Sequence, residues 1–83
     1  MKNGWHEGTI GIPEEGTQRT RIAHYWVKAY EKRSSYGING GRISKLEIRI
    51  DGSRVALYDR GWDVEPEDEA AQIAVAICLD QYN

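Results

Sequence analysis

The amino-acid sequence predicts an α+β fold, a four-stranded antiparallel sheet in the order ββββα with one C-terminal helix packed on one face. The first observation behind this prediction is a set of four segments with strand character, at 4–12, 20–30, 43–50 and 54–58. The second is an apolar helical pattern over 66–82. The strand connections are of hairpin length, and a helix and a sheet can each bury one apolar surface against the other. We therefore predict a single domain over 1–83.

The clearest element is the hairpin formed by the last two strand segments. Apolar and polar residues alternate along its arms, and Asp51-Gly52 between them is typical of a type I′ turn. A loop at Asp51-Gly52 would pair Ile48 with Val55. A loop at Gly52-Ser53 would instead pair Ile50 with Val55, and the sequence leaves both registers open. Both registers predict the same buried face, which consists of Leu46, Ile48, Ile50, Val55 and Leu57.

The first two strand segments differ in regularity. Residues 4–12 contain three glycines, which predict a bulged or edge strand. Residues 20–30 are rich in aromatic and β-branched side chains, which predict a long strand. One face of this strand is small and would fit under a helix: Ala23, Tyr25, Val27 and Ala29. The other face is larger and amphipathic: Ile22, His24, Trp26, Lys28 and Tyr30. The sequence does not choose which face meets the helix.

The helical segment begins in an acidic stretch. Pro66 suits the first position of a helix, where its missing N–H costs nothing, and the carboxylates at 67–69 complement the positive end of the helix dipole. More than half of the helix circumference is apolar. Full burial is expected to contribute about 1.5 to 3 kcal/mol for each of four side chains, Ile73, Val75, Ile77 and Leu79.

A single helix covers only one face of the sheet. The other face is therefore predicted to carry an exposed aromatic patch formed by Trp26, Tyr30 and Tyr58. Patches of this kind usually mark a surface that binds a partner.

Composition excludes several classes of protein. Eleven Lys and Arg residues against thirteen Asp and Glu residues argue against direct nucleic-acid binding. Cys78 is the only cysteine, which excludes an internal disulfide framework and fits a reducing bacterial cytoplasm. No apolar run reaches the roughly 20 residues of a membrane span, and the first residues lack the apolar core of a signal peptide. We therefore expect a cytoplasmic protein that does not contact membranes.

The sequence shows no recognisable catalytic arrangement. His6 and His24 lie on different predicted strands without carboxylates at ligand spacing, so we interpret them as packing or surface residues. Cys78 falls within the apolar helix face, which favours a buried and inert thiol over a nucleophile. No catalytic triad, paired acid–base carboxylates or cofactor fingerprint is evident. We therefore predict a non-enzymatic protein without a metal or cofactor.

Two loops flank the hairpin, and the first, at 36–42, is rich in glycine. Its backbone N–H groups can form an anion nest, to which Arg42, Lys45 and Arg60 would add positive charge. The simpler interpretation is that the glycines provide the positive φ angles needed to enter the next strand. The loop lacks the spacing and the following helix of a P-loop.

The second loop, at 58–63, combines two carboxylates with an arginine and an indole. Asp59 and Asp63 either bracket Arg60 as an ion-pair brace or provide contacts for a basic partner. Arg60 and Trp62 are also the residue types that dominate binding hot spots. The predicted binding residues of the whole chain are Arg60, Trp62, Asp63, Arg42, Lys45, Tyr36, Trp26 and Tyr58.

Two runs of residues carry a resemblance to a known family. GINGGRISKL at 37–46 and YDRGWD at 58–63, with the acidic helix start and the ending QYN, resemble short uncharacterised proteins found in Firmicutes and their phages. The resemblance covers about residues 25–83. It implies a phage or prophage setting and no established chemistry. Small phage proteins of this size are often inhibitors of host defence, including anti-CRISPR proteins.

Three hypotheses for function follow. The leading one is a phage-type protein that binds and inhibits a host protein, with a CRISPR–Cas effector as the candidate partner. It would use the loop of Arg60 and Trp62 and the uncovered sheet face. The second is sequestration of an anionic nucleotide by the glycine-rich loop at a subunit interface. The third is a purely structural homodimer formed through the uncovered sheet face.

Overall fold

The computed structural model describes residues 4–83, so the first three residues of the domain predicted over 1–83 lie outside the described residues. The described chain forms the following elements: β1 (Trp5–Pro13), β2 (Thr20–Ala29), a 3₁₀ turn (Ile38–Gly40), β3 (Ile43–Ile50), β4 (Ser53–Asp59), β5 (Trp62–Val64) and α1 (Glu69–Tyr82). The strands form one sheet in the order β1-β2-β3-β4-β5, and each is antiparallel to its neighbours. Helix α1 packs on one face of this sheet.

The α+β class, the antiparallel sheet and the C-terminal helix are confirmed, but the predicted number of four strands is wrong. The fifth strand, β5, has only three residues, which is too short for a period of two to be visible in the sequence. The chain reverses direction at Arg60, whose φ is 59°. This turn brings Trp62 opposite Tyr58.

The β3–β4 hairpin has the turn at Asp51-Gly52, where both residues have positive φ, 52° and 80°. Both angles fit a type I′ turn. Beyond the turn the register shifts at a β-bulge, so Arg49 lies opposite Arg54 but Ile48 lies opposite Ala56. Neither of the two predicted registers describes the whole hairpin, because neither includes the bulge.

The bulge reverses which side chains of β4 face the core. One extra residue in a strand moves every following side chain to the other face of the sheet. Ala56 and Tyr58 are therefore buried, whereas Val55 and Leu57 are only half-buried. The prediction that Leu57 joins the buried face is wrong, whereas Val55, the extra residue of the bulge, is half-buried and packs against the core. The same prediction for β3 is confirmed by its three buried side chains, Leu46, Ile48 and Ile50.

Strand β2 places its smaller face toward the helix, which answers the question that the sequence left open. Ala23, Tyr25 and Val27 are buried in the core. Ile22 lies on the other face and is 54% exposed. The sheet therefore has a helix side and an open side, and His24 and Trp26 belong to the open side.

Helix α1 begins at Glu69 rather than at Pro66, so the prediction that Pro66 takes the first helical position is wrong. The cap is Asp68, whose carboxylate accepts a hydrogen bond of 2.7 Å from the N–H of Ala71. A carboxylate at this position satisfies an N–H group that the helix itself leaves unpaired. No helix in the described residues is both long enough and apolar enough to span a membrane.

The buried stripe of α1 is narrower than predicted and consists of Ala71, Ala74, Val75 and Cys78. Two alanines in this stripe allow the helix to lie close to the sheet, so its flanks stay exposed. Ile73 and Ile77 are 37% and 38% exposed, and the prediction that they are fully buried is wrong. The largest fully buried side chains of the core are Ile43, Leu46, Ile48, Ile50, Val27 and Cys78.

Candidate functional site

The candidate site is the open side of the sheet, and Trp26 lies at its centre. The His24 ring stacks on the Trp26 indole with 4.1 Å between the ring centroids and 7° between the ring planes. The Arg49 guanidinium lies 5.7 Å from the centroid of the same indole. Stacking and cation–π contacts of this kind hold an aromatic ring in one orientation. The indole is therefore preorganised on a face that the helix does not cover.

Ion pairs fix the charged side chains around this indole. Glu47 accepts a hydrogen bond of 2.6 Å from Arg49 Nε, and Arg54 Nε lies 3.5 Å from the same carboxylate. His24 Nε2 lies 2.7 Å from Glu7 Oε2. Exposed pairs contribute little to stability, typically about 0 to 1 kcal/mol each. Their effect here is to limit the positions that the charged groups can adopt.

A groove of about 420 Å³ runs beside Trp26 on this side of the sheet. Its lining includes the apolar residues Trp5, Trp26 and Leu57 and the polar residues Lys45, Glu47, Arg49 and Asp59, together with the buried Leu46 and Tyr58. Leu57 faces the groove because of the bulge in β4. The register shift that removed Leu57 from the core thus supplies the apolar wall of the groove.

One end of the open side is cationic. Lys28 and Lys45 lie opposite each other on β2 and β3. The Lys28 ammonium lies 5.8 Å from the Trp5 ring centroid and 5.4 Å from the Tyr30 ring centroid. The hydrogen bond to Lys28, and its positive charge, lower the pKa of Tyr30. Within residues 4–83 neither lysine forms an ion pair, so both charges are available to a partner.

The structure separates the predicted binding residues into groups. Trp26 and Lys45 both line the groove on the open side. Arg42 lines a different cleft, of about 850 Å³, with His6 and Tyr82. The exposed side chains of Arg60 and Asp63 lie at the β4–β5 turn and on β5.

Tyr58 lies on the helix side, so the prediction that it belongs to the uncovered face is wrong. The bulge in β4 is the reason, and only 7% of Tyr58 is exposed. Its ring meets the Trp62 ring edge-on with 5.2 Å between centroids. Its hydroxyl donates a hydrogen bond of 2.8 Å to the backbone carbonyl of Tyr36. Tyr58 and Trp62 thus pack β4 against β5 and against the glycine-rich loop, and the Tyr36 side chain is exposed.

The β4–β5 turn is closed by backbone hydrogen bonds. The N–H of Asp59 donates to the carbonyl of Gly61 at 2.9 Å, and the N–H of Arg60 donates to the carbonyl of Ser44 at 3.1 Å. In the described part of the chain no ion pair joins Arg60 to Asp59 or Asp63. The predicted ion-pair brace is therefore not formed, and the Arg60 side chain points its charge to solvent.

The glycine-rich loop uses its N–H groups internally. The N–H groups of Gly37, Gly40 and Gly41 donate to the carbonyls of Ser34, Gly37 and Ile38 at 2.9 to 3.0 Å. An anion nest needs several neighbouring N–H groups that converge on open space. The three glycine donors are not available for such a nest.

Asn83 ties this loop to the start of β3. Its Nδ2 donates to the carbonyl of Ile38 at 3.0 Å, and its Oδ1 accepts from the N–H of Ile43 at 2.9 Å. A Cβ at Gly41 would lie 2.3 Å from Asn83 Oδ1, so a side chain there would displace this amide from its hydrogen bonds. The simpler interpretation of the loop holds for Gly40, whose φ is 70°, but not for Gly41.

The two histidines lie on opposite sides of the sheet. His6 stacks on Tyr82 with 4.5 Å between centroids on the helix side, whereas His24 contacts Glu7 and Trp26 on the open side. Both therefore pack against aromatic rings. Cys78 is buried, as predicted, and burial raises the pKa of its thiol to about 11.

The predicted binding residues leave out six residues that line the groove, Trp5, Leu46, Glu47, Arg49, Leu57 and Asp59. A signal was present for three of them. Glu47 and Arg49 alternate with the buried residues of β3, and Trp5 alternates with His6, so the period of two assigns all three to the open side. No sequence signal could place Leu57 there, because the bulge inverts its strand.

Comparison with curated proteins and with solved structures found no match to this chain. One family model does match, over residues 4–83, which is nearly the whole chain. Its description assigns no function, in agreement with the uncharacterised family that the sequence resembles. The chain belongs to the family described as Domain of unknown function (DUF7678).

Proposed function

We propose that this chain is a non-enzymatic binding protein that recognises a partner protein through the open side of its sheet, with Trp26 as the central anchor. The observation that carries the proposal is the preorganised indole beside an apolar groove on an uncovered face. Tryptophan and arginine are the residues most enriched at the energetic centre of protein interfaces. Here Trp26 and Arg49 stand together at the middle of that face.

The charges on the open side indicate which kind of partner surface would fit against it. The groove offers Trp5 and Leu57 to an apolar side chain of the partner. Lys28 and Lys45 at one end favour carboxylates on the partner, because opposite potentials across an interface steer association and fix its orientation. The partner surface we expect therefore has an apolar anchor beside an acidic group.

A protein partner fits this geometry better than an anionic nucleotide. The nucleotide hypothesis depended on a nest of N–H groups in the glycine-rich loop, and those of Gly37, Gly40 and Gly41 already donate to backbone carbonyls. In this proposal the loop containing Trp62 has a smaller part than the one predicted from the sequence, since that indole packs on Tyr58. We therefore assign the proposed binding role to the sheet face, together with Arg60, and not to the two loops.

The biological setting rests on the resemblance to proteins of Firmicutes phages. We propose that the partner is a host protein that the chain inhibits, and that a CRISPR–Cas effector is the first class to test. Support for this step comes from the sequence resemblance and from the small size of the chain. The geometry of the open side supports protein binding in general.

Affinity capture from a Firmicutes lysate, with quantitative mass spectrometry, tests the binding proposal. We expect Trp26→Ala or Leu57→Ala to reduce recovery of the captured host protein by about tenfold or more, as truncation of a central anchor costs about 2 kcal/mol or more. Asp80→Ala, on the solvent side of α1, is the matched control and is expected to retain full recovery. Equal recovery with all three variants would show that the open side does not bind the partner.

A plasmid-clearance assay in CRISPR-active cells tests the inhibitory role. Expression of the wild-type chain is expected to restore transformation by a targeted plasmid, and the Trp26→Ala variant is expected to fail. If neither protein changes transformation while Trp26-dependent capture of a host protein persists, the binding proposal stands and the CRISPR partner class is wrong.

A further inference from the structure

We infer that the free edge of β1 is a dimerisation strand, on which β1 of a second copy of the chain pairs in the antiparallel direction and extends the sheet. This surface is distinct from the open side that carries the proposed partner site. The inference rests on the backbone groups of the β1 edge, on the exposed isoleucines of α1 beside that edge, and on the self-complementary order of residues in β1.

The β1 edge is long and regular. Its nine residues pair with β2 over their whole length without a bulge. The N–H of Ala29 donates to the carbonyl of Gly4 at 2.9 Å, which makes Gly4 and Ala29 a hydrogen-bonded pair. Along an antiparallel ladder, hydrogen-bonded pairs alternate with pairs that are not hydrogen-bonded. Trp5, Glu7 and Thr9 belong to the second kind, so their N–H and C=O groups point away from β2.

Proteins usually protect edge strands against unwanted pairing. The other edge of this sheet is protected because β5 has only three residues. Strand β1 has few of the usual protective features: it contains no lysine and no bulge, its only proline is its last residue, Pro13, and Glu7 is its only acidic residue. A nine-residue edge of this kind is suited to pairing with another strand.

The exposed isoleucines of α1 lie along the same edge. Ile73 lines a cleft with Ile12 and Pro13 at one end of β1. Gln81 lines another cleft with Gly4 and His6 at the other end. Ile77 lies four residues from each of them and therefore on the same helix flank. This flank, with Ile73 and Ile77 exposed by 37% and 38%, runs beside the β1 edge.

A strand added to β1 would extend the sheet by about 4.8 Å beneath this flank. The pairing that is symmetric about Thr9 places Thr9 of one copy opposite Thr9 of the other. On the open side Glu7 then faces Gly11, so no like charges meet. On the helix side Ile10 of each copy stands beside Gly8 of the other, where the Tyr25 side chain lies over the glycine and offers an apolar ring to Ile10. A two-fold axis between the two Thr9 residues relates the copies, so both β1 strands form the same contacts. This symmetry defines an isologous interface.

The second copy fits better than an unrelated strand because it fills both parts of the surface. Its β1 backbone pairs with the outward N–H and C=O groups of Glu7, Thr9 and Gly11, and its half-buried Ile10 supplies an apolar contact on the side where Ile73 and Ile77 are exposed. The dimer would leave Trp26 and the groove uncovered, since the added strand joins the edge and not the face.

Sedimentation velocity across the micromolar range tests this inference. We expect the wild-type chain to form a species of twice the 9.5 kDa chain mass. Thr9→Pro removes an outward N–H that takes no part in the β1–β2 ladder, and Ile77→Lys places a charge on the exposed flank. Each is expected to weaken dimerisation by about tenfold or more, because a lost edge hydrogen bond or a charge against an apolar surface costs more than about 1.4 kcal/mol.

Ala76→Lys is the control, because it places the same charge at an exposed position on the other flank of α1. It is expected to leave the dimer unchanged, and circular dichroism checks that each variant is folded. If Thr9→Pro does not fold, Ile77→Lys decides the outcome. A wild-type monomer at every concentration would overturn the inference, as would a dimer that Ala76→Lys dissociates and Ile77→Lys does not.

Discussion

Tyr25 and Tyr82 share a hydrogen bond of 2.8 Å between their hydroxyls on the helix side of the sheet. This hydrogen bond, together with burial, raises the pKa of Tyr25 to about 12 from its usual value of 10. The hydrogen bond links α1 to β2 in a part of the core that is otherwise apolar. Its stabilising effect depends on the neutral state of Tyr25, so it should vary with pH.

The stability of the fold is expected to fall between about pH 10 and 12. In this window the Tyr25 hydroxyl ionises in the unfolded chain but stays protonated in the folded chain, so the unfolded state binds fewer protons. The contribution is complete below pH 10 and is lost as the pH rises through 12. Urea denaturation at several pH values measures it, and Tyr25→Phe should make the alkaline fall in unfolding free energy shallower. Cys78 is present in both proteins, so its own titration cancels in the comparison. An identical slope in wild type and variant would contradict this assignment.

Single residues show what sequence reasoning can identify. Trp26 and Lys45 were predicted as binding residues and line the groove, because an aromatic or charged side chain in an alternating strand is visible in the sequence. The role of Asn83 was not visible, since its two hydrogen bonds reach Ile38 and Ile43 across the fold. Contacts between residues so distant in the chain depend on tertiary packing.

At the scale of elements, the glycine-rich loop shows two different reasons for a glycine. Gly40 has positive φ, whereas Gly37 has an ordinary φ of −76°. A Cβ at Gly37 would instead lie 2.0 Å from the carbonyl oxygen of Gly41. That distance is far below van der Waals contact and involves backbone on both sides, so the loop would have to open to accept a side chain.

Gly37→Ala is therefore expected to destabilise the fold more than Gly16→Ala. Gly16 has a φ of 81° but no atom near its Cβ position. Alanine there is destabilising only because it must adopt the left-handed conformation, which costs about 1 to 2 kcal/mol. Gly37→Ala forces the backbone apart and should cost more than about 3 kcal/mol. Chemical denaturation of the two variants side by side measures the difference. A smaller loss for Gly37→Ala than for Gly16→Ala would show that the loop is not closed as described.

The β3–β4 hairpin shows why elements were only partly predictable. Alternation identified β3 and its buried face correctly, because the alternation is regular from Lys45 to Ile50 and the irregularity at Ser44 lies at the start of the strand. The faces of β4 were inverted by a single bulge, which leaves no trace in composition or spacing. The same bulge decides that Tyr58 belongs to the core and Leu57 to the groove. Strand β5 was missed because three residues carry no period.

At the scale of the whole molecule, one side of the sheet forms the folding core and the other side is the proposed binding surface. The helix side holds the core, including Val27, which is fully buried. The open side holds Trp26, the groove and the two lysines, and β1 is an edge strand of the sheet formed by residues 4–83. Neighbouring residues of β2 thus belong to opposite sides and should respond differently to the same substitution.

Thermal unfolding of Val27→Ser and Trp26→Ser tests this division most directly. Val27→Ser removes buried methyl groups and buries a hydroxyl, so we expect its unfolding midpoint to fall by about 10 °C or more. Trp26→Ser loses mainly surface stacking, and its midpoint should fall by less than half as much. The contrary result, an equal or larger fall for Trp26→Ser, would show that the open side belongs to the folding core and is not free to bind a partner.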